Sequence, residues 1–96
     1  MPTIITKACT AGNKWSTQLM TYAGRFNISV WSSASWSATV HVQRKFGATG
    51  GWNKVTAYTS NAEEVGITEG SSVYFRAGVP TTLYSSGIVN VRLSQG

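Results

Sequence analysis

The sequence predicts an all-β fold: a single antiparallel β-sandwich of about seven strands, immunoglobulin-like or jelly-roll-like, with an N-terminal arm. Three observations carry this. No segment sustains a helical period. The run "WSATVHVQRKF" (36–46) alternates cleanly, with Trp36, Ala38, Val40 and Val42 on one face and Ser37, Thr39, His41, Gln43 and Lys45 on the other. Such alternation marks a strand with one buried and one wet face. Clusters of Gly, Ser and Asn break the chain at strand-length intervals. A small barrel is the competing architecture.

The elements follow in order. Residues 1–13 precede the first strong strand and are expected to be an arm or an extra strand, with a frayed end as the default for a terminus. Residues 14–96 form the sandwich domain. Its first strand is "KWSTQLMTY" (14–22), closed by Ala23 and Gly24. In "RFNISVW" (25–31), Phe26, Ile28 and Val30 share the inner face. After the 36–46 strand come "WNKVTAYT" (52–59) and a weaker "EEVGI" (63–67). "SVYFRAGV" (72–79) turns Val73, Phe75, Ala77 and Val79 inward, and "GIVNVRLS" (87–94) does the same with Val89, Val91 and Leu93.

The chain has 96 residues, enough for one small domain whose core is modest, so oligomerisation or a partner is expected to help. Charged residues are 11%, well under the usual quarter, and Ser, Thr and Gly take their place, which favours strands and turns. The net charge of +5 suits an acidic partner surface or nucleic acid. The bases are spread along the chain, and only Arg44 and Lys45 are adjacent, so a mild positive field is the plain expectation. "MPTIITKAC" is too short of apolar residues for a signal peptide or a membrane span. The product is therefore expected to be soluble and made inside the cell. "NIS" at 27–29 matches a glycosylation acceptor by chance in that setting.

The glycine-rich "GATGG" between the 36–46 and 52–59 strands is not a phosphate loop, which ends in Gly-Lys-Ser/Thr and opens a helix. It is not a dinucleotide fingerprint either, because a strand follows it. Glycines between two alternating runs make a hairpin turn. Its shape resembles the Asp-box turn of β-propellers, with Trp52 in place, but the chain contains no Asp and no sugar site follows.

Catalytic chemistry is not expected. The acid–base set is Glu63, Glu64, Glu69, His41 and Cys9. Glu63 and Glu64 diverge on a strand and read as solvent charges beside a turn. Nothing joins Cys9 to His41. A lone Cys forms no internal disulfide, and the ligands for zinc or calcium are missing, so no cofactor or metal is expected. Trp31, opposite in parity to Val30, is either an exposed contact residue or a cap on the sandwich end.

From "FNISV" onward the chain resembles a family of small phage virion proteins encoded among head and tail genes. The ordered set stands here as "MPTII", "FNISV", "WSATVHVQRKF", "GGWNKVTAY", "NAEEVG", "EGSSVYFRAGV" and "SSGIVNVRLSQG". Relatives often carry "SFDGG" at the turn where this chain has "KFGATGG". The resemblance implies a virion structural protein without catalysis, made in the host cytoplasm. Within that role it implies a capsid decoration (cement) protein on the outside of the head, often a trimer, bridging subunits of the major capsid protein. A tail, neck or head-fibre component is the alternative; a glycan- or nucleic-acid-binding module is the second. The expected partner contacts are Thr3, Ile4, Ile5, Thr6 and Lys7 by strand addition, Trp31 as an aromatic contact, and Arg25, Arg44, Lys45 and Arg76 as charges.

Overall fold

Partner numbers along the strands converge from both chain ends on one turn. Thr3 pairs with Gln95, Leu19 with Phe75, Gly24 with Thr68, and Val40 with Tyr58. The whole chain is thus one long hairpin whose tip is the glycine-rich turn. The structure, a computed structural model, describes residues 3–21, 24–47, 50–68 and 73–95.

Among the described residues there are eleven strands: β1 (Thr3–Cys9), β2 (Lys14–Trp15), β3 (Leu19–Thr21), β4 (Gly24–Trp31), β5 (Ser37–Ala38), β6 (Val40–Phe46), β7 (Asn53–Tyr58), β8 (Ala62–Thr68), β9 (Val73–Val79), β10 (Tyr84–Ser86) and β11 (Val89–Gln95). One sheet runs β1-β11-β4-β8. The second main sheet runs β2-β9-β6-β7, with β3 also on β9, and β5 and β10 form a separate two-stranded ribbon. Every pairing is antiparallel. A long hairpin folded over into two facing sheets is the jelly-roll form of the sandwich. An immunoglobulin-like sandwich is ruled out, because it sets its first two strands side by side in one sheet. Here the first strand pairs with the last.

The inward residues are those the alternation predicts. Phe26, Ile28, Val30, Val89, Val91 and Leu93 face Val40, Val42, Val73, Phe75, Ala77 and Val79, and all are buried. Phe26 and Phe75 meet across the two sheets with ring centroids 4.3 Å apart. β6 and β7 form the expected hairpin, and Gly47 at its turn has φ 74°, the conformation that favours glycine. Ala48 and Thr49 of that turn lie outside the described residues.

Four differences from expectation have local causes. The strand count exceeds seven because β2, β3, β5 and β10 are only two or three residues long. The 36–46 run breaks at Thr39, whose N–H leaves the sheet to bond Leu83 O at 2.8 Å. Of the arm and the extra strand expected for the N-terminal segment, residues 3–9 take the strand and not the arm: β1 pairs with β11 over seven residues, and Cys9 at its end is fully buried. The 14–22 strand splits at Ser16. Its N–H donates to Ala77 O at 2.8 Å, and its Oγ accepts the Ala77 N–H at 3.0 Å. Trp15 pairs with Gly78 but Leu19 with Phe75, so one extra residue is accommodated, a β-bulge.

Ser16 is buried, so Ser16→Ala strands the Ala77 N–H. Stability is expected to fall by about 1–3 kcal/mol. Amide exchange at Ala77 should quicken. A melt and an exchange rate matching wild type would show that the bulge does not depend on this hydroxyl.

Candidate functional site: a cationic, aromatic sheet face

The two sheets carry different charges. Lys7, Arg25 and Arg92 lie on the β1-β11-β4-β8 sheet together with Glu63 and Glu64. Lys14, Arg44, Lys45, Lys54 and Arg76 lie on the other sheet, which holds no carboxylate among the described residues. Of the bases scattered in sequence, Lys45, Lys54 and Arg76 are brought together on the outer face of that sheet by register. Glu69 lies outside the described residues.

On the outer face of that second sheet, Arg76 is central. Its Nε and Nη2 both donate to Gln43 Oε1, at 3.0 and 2.8 Å. Gln43 and Arg76 are direct cross-strand partners on β6 and β9. The Arg76 guanidinium carbon lies 4.0 Å from the Trp15 ring centroid and 4.6 Å from that of Trp52. The Lys45 ammonium lies 4.9 Å from Trp52 and 5.6 Å from Tyr74. The result is a connected row, Trp15, Arg76, Trp52, Lys45 and Tyr74, every member half-buried. Burial lowers the Arg76 pKa from its ordinary value. Cation–π contacts contribute about 0.5–1 kcal/mol each where solvent has access.

Bulges deliver both tryptophans. Without the extra residue between them, Trp15 and Leu19 would share a face, because side chains repeat every second residue. The bulge at 16–18 leaves Leu19 in the core and turns Trp15 out. On β7, Val42 pairs with Thr56 but Gln43 pairs with Lys54, so Val55 is the extra residue. Thr56 and Tyr58 then share the inner parity, while Lys54 and Trp52 stand on the outer one. Gly78 completes the arrangement. A Cβ there would collide with Lys14 O and lie 2.7 Å from Trp15 Cα, so only glycine lets β2 approach this closely.

The expected contact residues are divided between two surfaces. Lys45 and Arg76 belong to the row just described. Arg44 has the opposite parity and lies over the exposed Phe46 ring, 5.3 Å from its centroid. Arg25 and Trp31 lie on the outer face of the other sheet; Ile4 and Thr6 share that face on β1, with β11 between. Trp31 is 39% exposed. Ile5 packs against the core, and Lys7 has its parity. Thr3 is described only as the first pair of β1. Trp15 and Trp52 were not among the expected contacts, because only the bulges bring them here.

The remaining candidates stay apart. Cys9 is buried and its Sγ donates to Lys14 O at 3.6 Å; burial raises its pKa, which keeps the thiol protonated. His41 faces outward on β6, beside Gly78 and Ala57. Glu63 and Glu64 stand within β8 rather than at a turn. Glu63 lies outward opposite Ser29, and Glu64 bonds Tyr58 at the open edge between the sheets. The outer face of this sheet has a shallow cavity of about 470 Å³ bordered by Asn27, Ser29, Glu63, Arg92 and Ser94. At one end of the sandwich, Trp36 Nε1 donates to Asn61 Oδ1 at 2.9 Å, next to a cavity of about 360 Å³ lined by Thr39, Thr59, Thr82 and Leu83. Among the described residues no cluster of three metal-binding side chains forms.

An all-antiparallel jelly-roll sandwich presenting a flat cationic and aromatic face is the class these features define. No family model matches the chain, and no curated protein matches it. Among solved structures, a Yersinia pseudotuberculosis-derived mitogen is similar, with a TM-score of 0.58 and 15% sequence identity over 98% of this chain and 85% of that one. At that identity the likeness is one of fold.

Two outcomes follow. Gly78→Ala should push Trp15 off the Arg76 guanidinium and lower the melting temperature, with the change visible as a shift in tryptophan emission; unchanged emission and melting would mean β2 adjusts without cost. Burial, then the nearby Lys54 charge, lowers the His41 pKa below its ordinary 6.5. The unfolded chain thus takes up this proton at a higher pH than the folded one. The stability contributed is full above pH 6.5 and declines as pH falls through the lower folded value. His41→Gln should flatten that acid-side decline, and an identical pH profile would place its origin elsewhere.

Proposed function

We propose that this chain is a non-enzymatic structural protein of a phage virion, a capsid decoration protein that seats on the assembled head and stabilises contacts between major capsid subunits. The observation that carries the docking surface is the Trp15, Arg76, Trp52, Lys45 and Tyr74 row on an outer sheet face that also carries Lys54 and no described carboxylate. Such a face is drawn to an acidic exterior and repels a second copy of itself. The near-full-length resemblance to small virion proteins supports the setting. The outer face of the other sheet suits contacts between copies, including the trimer expected for decoration proteins. There Ile4, Trp31, Val65 and Ile67 are exposed, and Arg25, Arg92 and Glu63 mix both signs.

One specific observation favours a second reading. Basic residues gathered on one sheet face with aromatic rings also suit a single-stranded nucleic acid.

The deciding measurement is the copy number in purified virions, by quantitative mass spectrometry against the major capsid protein. Decoration requires a fixed stoichiometric ratio to the shell subunit. A few copies per particle would move the protein to the neck, tail or a fibre. Absence from the particle would discard the virion reading and leave nucleic-acid binding as the reading to pursue.

A further inference from the structure

Among the described residues Arg76 is held as a charge without a counter-ion. Among the described residues its only hydrogen-bond partner is Gln43, a neutral amide oxygen that takes Nε and one Nη2 hydrogen. A guanidinium carries five N–H donors in a planar fork. The two hydrogens of Nη1 and the second of Nη2 therefore have no protein acceptor among the described residues. No buried polar side-chain atom there lacks a partner, so this second edge is open to solvent. Two indole rings lie against the group and partly desolvate it.

We propose that the open edge of Arg76 is a receptor for a carboxylate side chain of the acidic partner protein, pre-oriented by Gln43, Trp15 and Trp52. The proposal rests on the docking face described above and names its anchor. Gln43 fixes the guanidinium plane, and the rings restrict its rotation. A carboxylate meets the remaining fork with two parallel hydrogen bonds, the geometry in which Arg exceeds Lys. Lys45 and Lys54 add to the positive potential around the approach. Carboxylate is favoured over nucleic acid because base stacking needs open ring faces. Trp15, Tyr74 and Trp52 each already have a cation over the ring, which leaves each ring at most one open face.

The test uses the full chain with two labelled probes, poly-L-glutamate and a single-stranded oligo-dT, at equal ionic strength. Gln43→Glu supplies an internal carboxylate to Arg76, and Ser33→Glu, at an exposed bend outside either proposed face, changes the net charge by the same single unit. Arg76→Lys keeps the charge and loses the fork. The expected result is that wild type prefers poly-L-glutamate. Gln43→Glu should weaken that binding by about tenfold, and Arg76→Lys by several-fold, at unchanged or higher melting temperature for Gln43→Glu. Ser33→Glu should bind like wild type. Equal weakening by Gln43→Glu and Ser33→Glu would reduce the effect to net charge and overturn the site. So would no binding of poly-L-glutamate, or tighter binding of oligo-dT lost through the same two Arg76-directed variants. Particle copy number is a separate measurement, so the anchor can fail while the virion role stands, and the reverse.

Discussion

Two β-bulges determine what this protein shows to its surroundings. Strand alternation by itself is a rigid rule: every second side chain goes to the core. Had β2 and β3 been one regular strand, Trp15 and Leu19 would compete for the same face. The extra residue near Ser16 resolves that conflict, and the extra Val55 does the same for Trp52 and Thr56. Each bulge reverses the parity of the chain once. The core keeps Leu19, Thr21, Thr56 and Tyr58, while the two indoles go to the outer face of the same sheet. A bulge ordinarily leaves backbone groups without ladder partners. At 16–18 the Ser16 hydroxyl supplies the missing acceptor for Ala77 N–H.

The fold makes such local adjustment affordable because long-range pairing is heavily redundant. β1 with β11 and β4 with β8 each match over seven residues. The Phe26 and Phe75 rings lock one sheet on the other. A slip of one residue would expose a row of Val, Ile and Leu, so register is strongly held wherever the core is deep. The bulged strands β2, β3 and β7 lie at sheet edges, where irregular pairing disturbs one neighbour rather than two.

Alternation made the core legible in the sequence. Val40, Val42, Phe26, Ile28, Val30, Phe75, Ala77, Val91 and Leu93 all point inward as their spacing indicates. The glycine-rich turn was legible as a hairpin because strand, glycines and strand admit little else. Three things were not legible. A terminal β1 closing onto β11 is a contact between chain ends, and no local pattern encodes it. The clustering of bases follows from pairing β6 with β9, which brings Gln43 to Arg76 and Lys45 to Tyr74 across about thirty intervening residues. The two tryptophans depend on bulges, whose signal in the sequence is one polar residue, Ser16, interrupting a strand, and one Val out of phase. Gly78 offered a hint: a glycine inside an otherwise apolar strand marks a close backbone approach.

The separation of roles between the two sheets follows from charge alone. A face carrying cations and no carboxylate among the described residues repels its own copy, so a partner proposed for it must differ from it chemically. A face mixing Arg25, Arg92 and Glu63 with exposed Ile4, Val65 and Ile67 can complement itself under a rotation that brings unlike charges together. A small sandwich has two broad outer faces, and this chain gives them opposite rules of association. With a copy on one side and an acidic surface on the other, as proposed above, the two faces would bridge neighbours. The proposed Arg76 anchor would make that bridge selective, because an open fork favours an acidic residue at one position over a diffuse negative field.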